Sequence, residues 1–529
     1  MPVHRKPSRK ETADRKRLSR RQFGSGSAAT IGGLAIGVHT SSRAKAAPGP
    51  NDKVGLAIAG LNSRGMSHAG GFHSDDRCEI RAIVDIDVEV ADKAASKIGS
   101  MQGKRPEIFS DFREMLESDD VQVVTAATPN HWHALMGVWA MQAGKDVYIE
   151  KPISHNIDEG RALVAAAKKY GRMFQTGTQC RSSLGVIDLV KFVQDGGIGE
   201  VKLARGLCYK RRKSIGALGD YKVPDGVNFD LWSGPATFTD PKLTRPRFHY
   251  DWHWQRHYGN GDSGNQGPHQ TDVARWGLGL ERHPDRILTY AGRLGYQAER
   301  KDVGYVDAGD TANTQVSIYD YGDKTLVFET RGLSVDGNKD DEINKLFGKD
   351  KGNRIGVIFY GSEGYAIQGP SYENGAVFDL KMKPVRNFRH DSKKNGRLND
   401  VHMGNLLDAV DSRDALLLNA DAQCGHLSAS IAHLGNIGYY VGQQNRVSPA
   451  VVANAVEEFG GADDNAETLA RTLRHLSDNE VDPAAEQLSL GPVLKFDRES
   501  ERFTNSDAAN ALLSREYREG FEVPAPENV

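Results

Sequence analysis

From Lys53 onward the chain alternates short apolar runs with amphipathic stretches, and this alternation constrains its fold more than any other feature. Val54–Ala59 is an apolar run closed by Gly60, and 79–84 is a second. Val88, Ala91, Ala94, Ala95 and Ile98 recur at helical spacing. Ser110 is placed to cap a helix over 111–118, which leads into a strand over 121–127. A helix over 131–143 stops at Gly144, and Asp146–Ile149 reads as a strand. Ile157–Tyr170 is helical again, stopping at Gly171 before a strand over 173–177. Strands this short, joined by helices, must run parallel with crossovers. The expected fold is therefore α/β, with an N-terminal doubly wound Rossmann domain over 53–177.

Beyond Gly177 the texture changes. Val201–Tyr209, 287–291, 314–319, 325–330 and 355–360 read as strands with few helices between them, ahead of helical stretches at 403–410 and 423–440. This predicts a second α/β domain over 178–450 with a large, mostly antiparallel open sheet. Residues 451–529 read as a C-terminal extension packed on that domain. At 529 residues the chain exceeds one ordinary core, and 38% hydrophobic with 26% charged residues describes a globular protein.

Residues 1–47 read as a twin-arginine signal peptide. A basic arm ends in Ser19-Arg20-Arg21-Gln22-Phe23, a weakly apolar segment follows, and Ala44-Lys45-Ala46 offers a small-x-small cleavage site. The plain alternative is a disordered basic arm that happens to contain Arg-Arg. Export implies passage through the twin-arginine translocase, cleavage near Ala46 and a periplasmic or otherwise exported destination. The apolar stretch over 24–38 is too short and too rich in glycine and serine for stable membrane insertion. The first 47 residues carry 11 Lys and Arg against 2 Asp and Glu, so their removal takes the net charge from −2 to about −11. An acidic protein without a basic run is a poor partner for nucleic acid or anionic membrane. Cys78, Cys180, Cys208 and Cys424 lack zinc-site spacing. An oxidising compartment would permit a Cys180–Cys208 disulfide, with four buried thiols as the other reading.

Gly60-Leu61-Asn62-Ser63-Arg64-Gly65 follows the first strand and opens a helix, the place where backbone amides and a helix N-terminus face a pyrophosphate. Asn62 occupies the middle glycine's position, and asparagine tolerates left-handed backbone. Asp85, about 20 residues on at the end of the second strand, can accept both adenosine ribose hydroxyls and repel a 2′-phosphate. The expected cofactor is NAD, with NADP disfavoured. A Rossmann-like domain that binds nothing is the alternative.

Thr128-Pro129-Asn130-His131-Trp132-His133 and Glu150-Lys151-Pro152 come next, then Trp232-Ser233-Gly234-Pro235-Ala236 and Gly264-Asn265-Gln266-Gly267-Pro268-His269-Gln270-Thr271-Asp272. With the glycine loop and Asp85, these resemble the glucose–fructose oxidoreductase/inositol dehydrogenase (Gfo/Idh/MocA) family over about 53–442. The resemblance implies an NAD-dependent oxidoreductase acting on CH–OH groups of a sugar, cyclitol or related polyol. It also implies a homo-oligomer with contacts through the open sheet. Thr128, Pro129, Asn130, His133, Glu150 and Lys151 would join Gly60, Asn62, Ser63, Arg64, Gly65 and Asp85 around the cofactor.

The residues make chemical sense beside the resemblance. Oxidising an alcohol needs a base for the hydroxyl proton while hydride departs. Lys151, at a strand end, can hydrogen-bond the reacting oxygen, His269 can take the proton, and Asp272, three residues on, can orient His269. Family dehydrogenases often carry Asp four residues before this histidine; here that position is Asn265, which cannot act as a base. Arg181, Lys210, Arg211, Trp252, His253 and Trp254, with Asn265 and His269, are the expected substrate contacts, since indoles stack on sugar rings and basic heads bind hydroxyls. The alternative places Trp252 and Trp254 in the core. His249, His253 and His257 lie close together but lack the glutamate of a zincin, so no metal is expected.

Two other functions compete. One is a glycoside-cleaving enzyme that oxidises its substrate transiently on bound NAD; relatives of that kind lack the lysine of Glu-Lys-Pro, which Lys151 supplies. The other is a non-catalytic sugar-binding protein, against which the pair Lys151 and His269 argues. Replacing Arg20 and Arg21 with lysine is expected to remove the protein from a periplasmic fraction. Undiminished periplasmic yield of that double variant would exclude the twin-arginine signal.

Overall fold

Strand β1 (Val54–Ala59) is buried along its whole length, which only a central strand covered on both faces permits. In the computed structural model, which describes residues 53–237, 242–335, 341–347, 353–369, 371–485 and 487–529, it lies in a six-stranded sheet. Its partners are β2 (Cys78–Val84), β3 (Glu107–Phe109), β4 (Val123–Ala126), β5 (Asp146–Ile149) and β6 (Phe174–Thr176), in the order β3-β2-β1-β4-β5-β6. Every pairing is parallel. This is the doubly wound order, whose switch point falls between β1 and β4, where a crevice opens beyond the strand ends. The crossovers are α1 (Arg64–His73), α2 (Val88–Gln102), α3 (Phe112–Leu116), α4 (Asn130–Gln142) and α5 (Ile157–Tyr170). Asp111, not Ser110, caps α3, because its carboxylate reaches the amide of Arg113.

Among the described residues the second sheet has twelve strands and is mostly antiparallel, with β7 (Val201–Tyr209) and β10 (Thr325–Arg331) its one parallel pair. The others are β8 (Arg286–Gly292), β9 (Thr314–Asp320), β11 (Arg354–Gly361), β12 (Gly364–Gln368), β13 (Gly375–Asp379), β14 (Pro384–Phe388), β15 (Arg446–Val447), β16 (Leu488–Leu490), β17 (Leu494–Asp497) and β18 (Arg502–Phe503). The sequence pattern missed β12 to β14, whose polar and apolar residues mix without clean alternation.

Two helices over 398–442 do not simply close the second domain. Leu398–Ser412 packs Met403, Leu406, Leu407 and Val410 into the Rossmann core beside Leu56, Phe72 and Ile98. Ala422–Gly442 runs between the two sheets, touching α5 and β8. The extension over 451–529 is likewise shared. It gives β16 and β17 to the edge of β8, while Phe521, Val523 and Val529 join the α4 side of the Rossmann core. Its helices Pro449–Phe459 and Asn465–Asp478 lay Val452, Val456, Phe459, Leu469 and Leu476 over Leu288, Val316, Ile318 and Val327. The face of the central strands that the resemblance leaves open for oligomer contacts is internal in this chain. All four cysteines are free thiols, with no Cys180–Cys208 bridge. The export signal at 1–47 lies outside the described residues, and no described helix is long and apolar enough to cross a membrane.

One buried charge cluster fastens extension to sheet. Glu329 on β10 accepts from Arg205, from Arg471 at 2.9 Å, from Arg331 at 3.2 Å and from the Tyr209 hydroxyl at 2.7 Å. Arg205 also pairs with Asp463 of the extension. Burial would raise the Glu329 carboxyl, but Arg471, Arg205 and Arg331 hold it well below the usual carboxylate range. Glu329→Gln leaves three buried guanidinium groups short of one charge and is expected to cost about 3–5 kcal/mol. Urea unfolding of wild type and variant measures this, and a loss under about 1 kcal/mol would show that the cluster does not hold the extension.

Candidate active site

The crevice at the switch point is a cleft of about 850 Å³. Gly60 ends β1 with φ +81°, and a Cβ there would meet the Ala127 carbonyl oxygen at 2.8 Å. A Cβ on Gly65 would lie 2.0 Å from the Gly60 oxygen. The loop therefore closes only with glycine at both positions, and it keeps its backbone bare towards the cleft. Asn62 does not have positive φ. The middle position needs no left-handed residue, so an asparagine fits without strain. Gly60, Asn62, Ser63 and Arg64 line the cleft with Asp85, Thr128, Pro129, Asn130, His133, Glu150 and Lys151; Gly65 lies beneath it.

Asp85 Oδ2 accepts from the Leu61 amide at 2.7 Å and Oδ1 from the Asp87 amide at 3.1 Å. The carboxylate thus ties the glycine loop to the end of β2 while still edging the cleft. Burial pushes its carboxyl up, and those two amides oppose the rise. His133 does not present a free nitrogen to a ligand. Its Nδ1 faces the Pro152 oxygen at 2.6 Å and its Nε2 the Thr128 oxygen at 2.8 Å, so it staples two cleft loops together. These bare amides and the carboxylate at the second strand's end fit a dinucleotide with free ribose hydroxyls.

Lys151 leaves the end of β5, and its Nζ donates to the Asn265 carbonyl oxygen at 2.6 Å. Burial lowers its ammonium to about 8 against the pull of Glu150. His269 sits in the first turn of the helix Gly267–Gly277, 8% exposed, its ring 4.7 Å from that of Tyr372. Its Nδ1 has no hydrogen-bond partner. Burial first, then the Lys151 charge, lowers His269 to about 3, so its imidazole is neutral. Lys151, Asn265, His269, Trp252 and His253 all line the cleft. Trp252 stacks on His253 with ring centroids 3.6 Å apart.

Several expected roles are corrected. Asp272 does not orient His269: its carboxylate is filled by Arg181, through two bonds of 2.9 Å, and by Ser428 at 2.7 Å. A fully buried carboxylate takes a guanidinium in preference to a neutral imidazole. The same bond removes Arg181 from substrate binding, and its guanidinium lies over Trp276 at 4.6 Å. Arg211 bonds Glu299 and, like Lys210, is not part of the cleft lining. Trp254 is core, packed with Ile215 and Ala308 beneath Arg212.

Sequence reasoning missed Tyr372, which closes the cleft over His269 and carried no local signal.

Residues 54–178 match the Gfo/Idh/MocA oxidoreductase family, described by its NAD-binding Rossmann fold. A glycosyl hydrolase family 109 protein of Shewanella sp. is 28% identical over 157 residues, 28% of this chain and 34% of that protein. An alpha-N-acetylgalactosaminidase of Shewanella oneidensis is 28% identical over 145 residues, 26% of this chain and 32% of that protein. The matched stretch spans about a third of the length of these curated relatives. Among solved structures, a levoglucosan dehydrogenase in complex with NADH and levoglucosan superposes with a TM-score of 0.53 at 16% identity, over 72% of this chain and 95% of that one. GenD2 from gentamicin A biosynthesis, in complex with NAD, gives 0.51 at 19% over 74% and 96%. At such identities the likeness establishes the fold.

Asp85→Ala is expected to weaken NAD binding by about 1.5–3 kcal/mol, through one lost charge-assisted bond, and to narrow the preference over NADP. Fluorescence titration with both nucleotides checks this, and a wild type that prefers NADP would overturn the role of Asp85. Residues 54–178 thus fold as a Rossmann domain and match the NAD-binding Rossmann domain of the Gfo/Idh/MocA oxidoreductase family.

Proposed function

We propose that the protein is an NAD-dependent oxidoreductase that oxidises a CH–OH group of a sugar, cyclitol or related polyol, and that Lys151 handles the hydroxyl proton. The observation that carries this reading is the position of Lys151. Its amine is anchored at the end of β5 against the Asn265 carbonyl, in one cleft with the glycine loop, Asp85 and His269. NAD bound on the glycine loop and Asp85 supplies the hydride acceptor.

The chain's own residues then divide the remaining work. With its ammonium lowered to about 8, Lys151 is partly neutral near that pH and accepts the hydroxyl proton. His269, lowered to about 3, is a poor base at neutral pH and instead offers a neutral hydrogen bond to the same oxygen. This reverses the roles expected from the sequence. Asn265 spends its carbonyl on Lys151, while its side chain is left for a substrate hydroxyl. Trp252 and His253 give the cleft a flat aromatic wall suited to a sugar ring.

A second reading is favoured by the names of the sequence relatives: glycoside cleavage, with the substrate oxidised only transiently on retained NAD. The two differ in net redox change. We also propose that the protein is exported, on the strength of Arg20, Arg21 and the Ala44-Lys45-Ala46 site.

Purified protein with NAD is mixed with a panel of polyols and glycosides while reduced nicotinamide and released aglycone are followed together. Accumulating NADH supports the dehydrogenase; aglycone release without net NADH supports the glycosidase; neither, over the whole panel, would defeat both. On a productive polyol, Lys151→Met is expected to lower the single-turnover rate roughly 10²–10⁴-fold. The wild-type oxidation rate should rise through an apparent pKa near 8, as the neutral amine forms, and the variant should lose that limb. An unchanged pH profile in Lys151→Met would remove Lys151 from proton transfer.

A further inference from the structure

Away from the cleft, three chain segments bring two imidazoles and a carboxylate together. His283 lies in the loop before β8, His426 in the helix Ala422–Gly442, and Glu501 in the turn between β17 and β18. Their ligand atoms all fall within 4.8 Å of one another. Glu501 Oε2 is 2.8 Å from His426 Nε2 and 3.5 Å from His283 Nε2. The histidines are 3% and 1% exposed, and their rings meet edge to face at 5.4 Å. None of the three lines the active-site cleft.

His283 is the telling member. Among the described residues its Nδ1 has no hydrogen-bond partner, and its Nε2 has only Glu501 Oε2, at 3.5 Å, although the residue is buried. The buried imidazole is thus poorly satisfied, a cost that native interiors avoid. Burial disfavours its protonated form, which Glu501, shared with His426 at 2.8 Å, favours. A cation that accepts the lone pair of His283 resolves the problem.

We propose that His283, His426 and Glu501 bind a divalent transition metal of the zinc type, with water completing the shell, and that this metal clamps the β17–β18 hairpin to the body of the protein. Two neutral imidazoles and one carboxylate are a set that zinc accepts. Tetrahedral coordination at about 2.0–2.1 Å puts ligand atoms roughly 3.3 Å apart; the two separations from Glu501, 2.8 and 3.5 Å, lie on either side of that value. His426 has a supporting contact for the role: its Nδ1 faces Ser430 Oγ at 3.4 Å, a partner that can accept the ring proton when Nε2 gives up its own to bind metal. Glu501 is held inward by a left-handed backbone, φ +54°, and keeps 16% of its side chain exposed, so solvent reaches the open position. Two residues beyond His426 on the same helix, Ser428 bonds Asp272, the partner of Arg181.

Full-length protein is stripped with a chelator, dialysed and titrated with Zn²⁺ alone, and in parallel with Co²⁺ as a spectroscopic stand-in. The expected result is about one tight Zn²⁺ per chain, a visible d–d absorption with Co²⁺, and a Zn²⁺-dependent rise in melting temperature. Glu501→Gln keeps a hydrogen bond to His426, so it should fold; it should weaken Zn²⁺ binding at least about 100-fold and abolish the Co²⁺ band. His283→Gln should do the same, whereas His269→Asn, in the cleft, should bind like wild type. Failure of stripped wild type to take up stoichiometric Zn²⁺ would overturn the proposal. Equal binding by Glu501→Gln, or loss of binding in His269→Asn, would overturn it as well. None of these readouts depends on the proposed redox activity.

Discussion

The buried carboxylate of Glu150 is the interaction on which the catalytic half of the molecule turns. Its Oε1 takes Arg64 Nε at 2.6 Å, His68 Nε2 at 3.2 Å and Gln179 Nε2 at 3.3 Å, while Oε2 faces the Lys151 amide at 3.3 Å. A charge this deep persists only when paired, and its partners come from three separate stretches of the chain. Arg64 and His68 come from the helix that opens after the glycine loop, and Gln179 from the turn that leaves the Rossmann sheet. The carboxylate therefore fixes the loop, the end of β5 and the exit of the chain relative to one another. It also keeps Lys151 from losing its charge altogether: burial depresses the ammonium and Glu150 partly restores it. Loop geometry and proton affinity at the site are two outcomes of one desolvated group.

Local pattern made some of this legible and hid the rest. β1 and β7 were readable to the residue because apolar runs between turn signals are local facts. The Gly60–Gly65 loop and Asp85 were readable because their spacing follows from the βαβ unit, and Glu150-Lys151 through the family resemblance. Asp272 was misread because helical spacing shows which neighbours share a face, not which distant group will claim a carboxylate. Arg181 lies 91 positions away, and a buried anion takes the strongest donor within reach. Tyr372 and the His283–His426–Glu501 cluster escaped for the same reason, since their members meet only after sheet and helices have packed. Trp254 escaped because an indole's identity does not say which of its faces is solvated.

The extension also changes what the second sheet is for. Its helices cover strands that the resemblance would leave to a partner subunit, and its Asp463 and Arg471 enter the charge cluster around Glu329. That face of the sheet is covered from within the chain. Buried ion pairs contribute little net stability, but they penalise misregistration, because any slip strands a guanidinium in the core. The Glu329 cluster thus sets the register of the extension more than it adds to its affinity.

The packing of Phe521 on Trp132, with ring centroids 5.6 Å apart, has a consequence for the order in which the molecule forms. The Rossmann strands lie within residues 54–176 and can pair as soon as they leave the ribosome, yet the outer side of α4 waits for Phe521, Val523 and Val529. Through most of synthesis that apolar patch has no cover. Contacts of such long sequence separation form late and slowly, because a large loop must close before they contribute. The Rossmann core thus finishes its packing only once residues 521–529 have docked against α4.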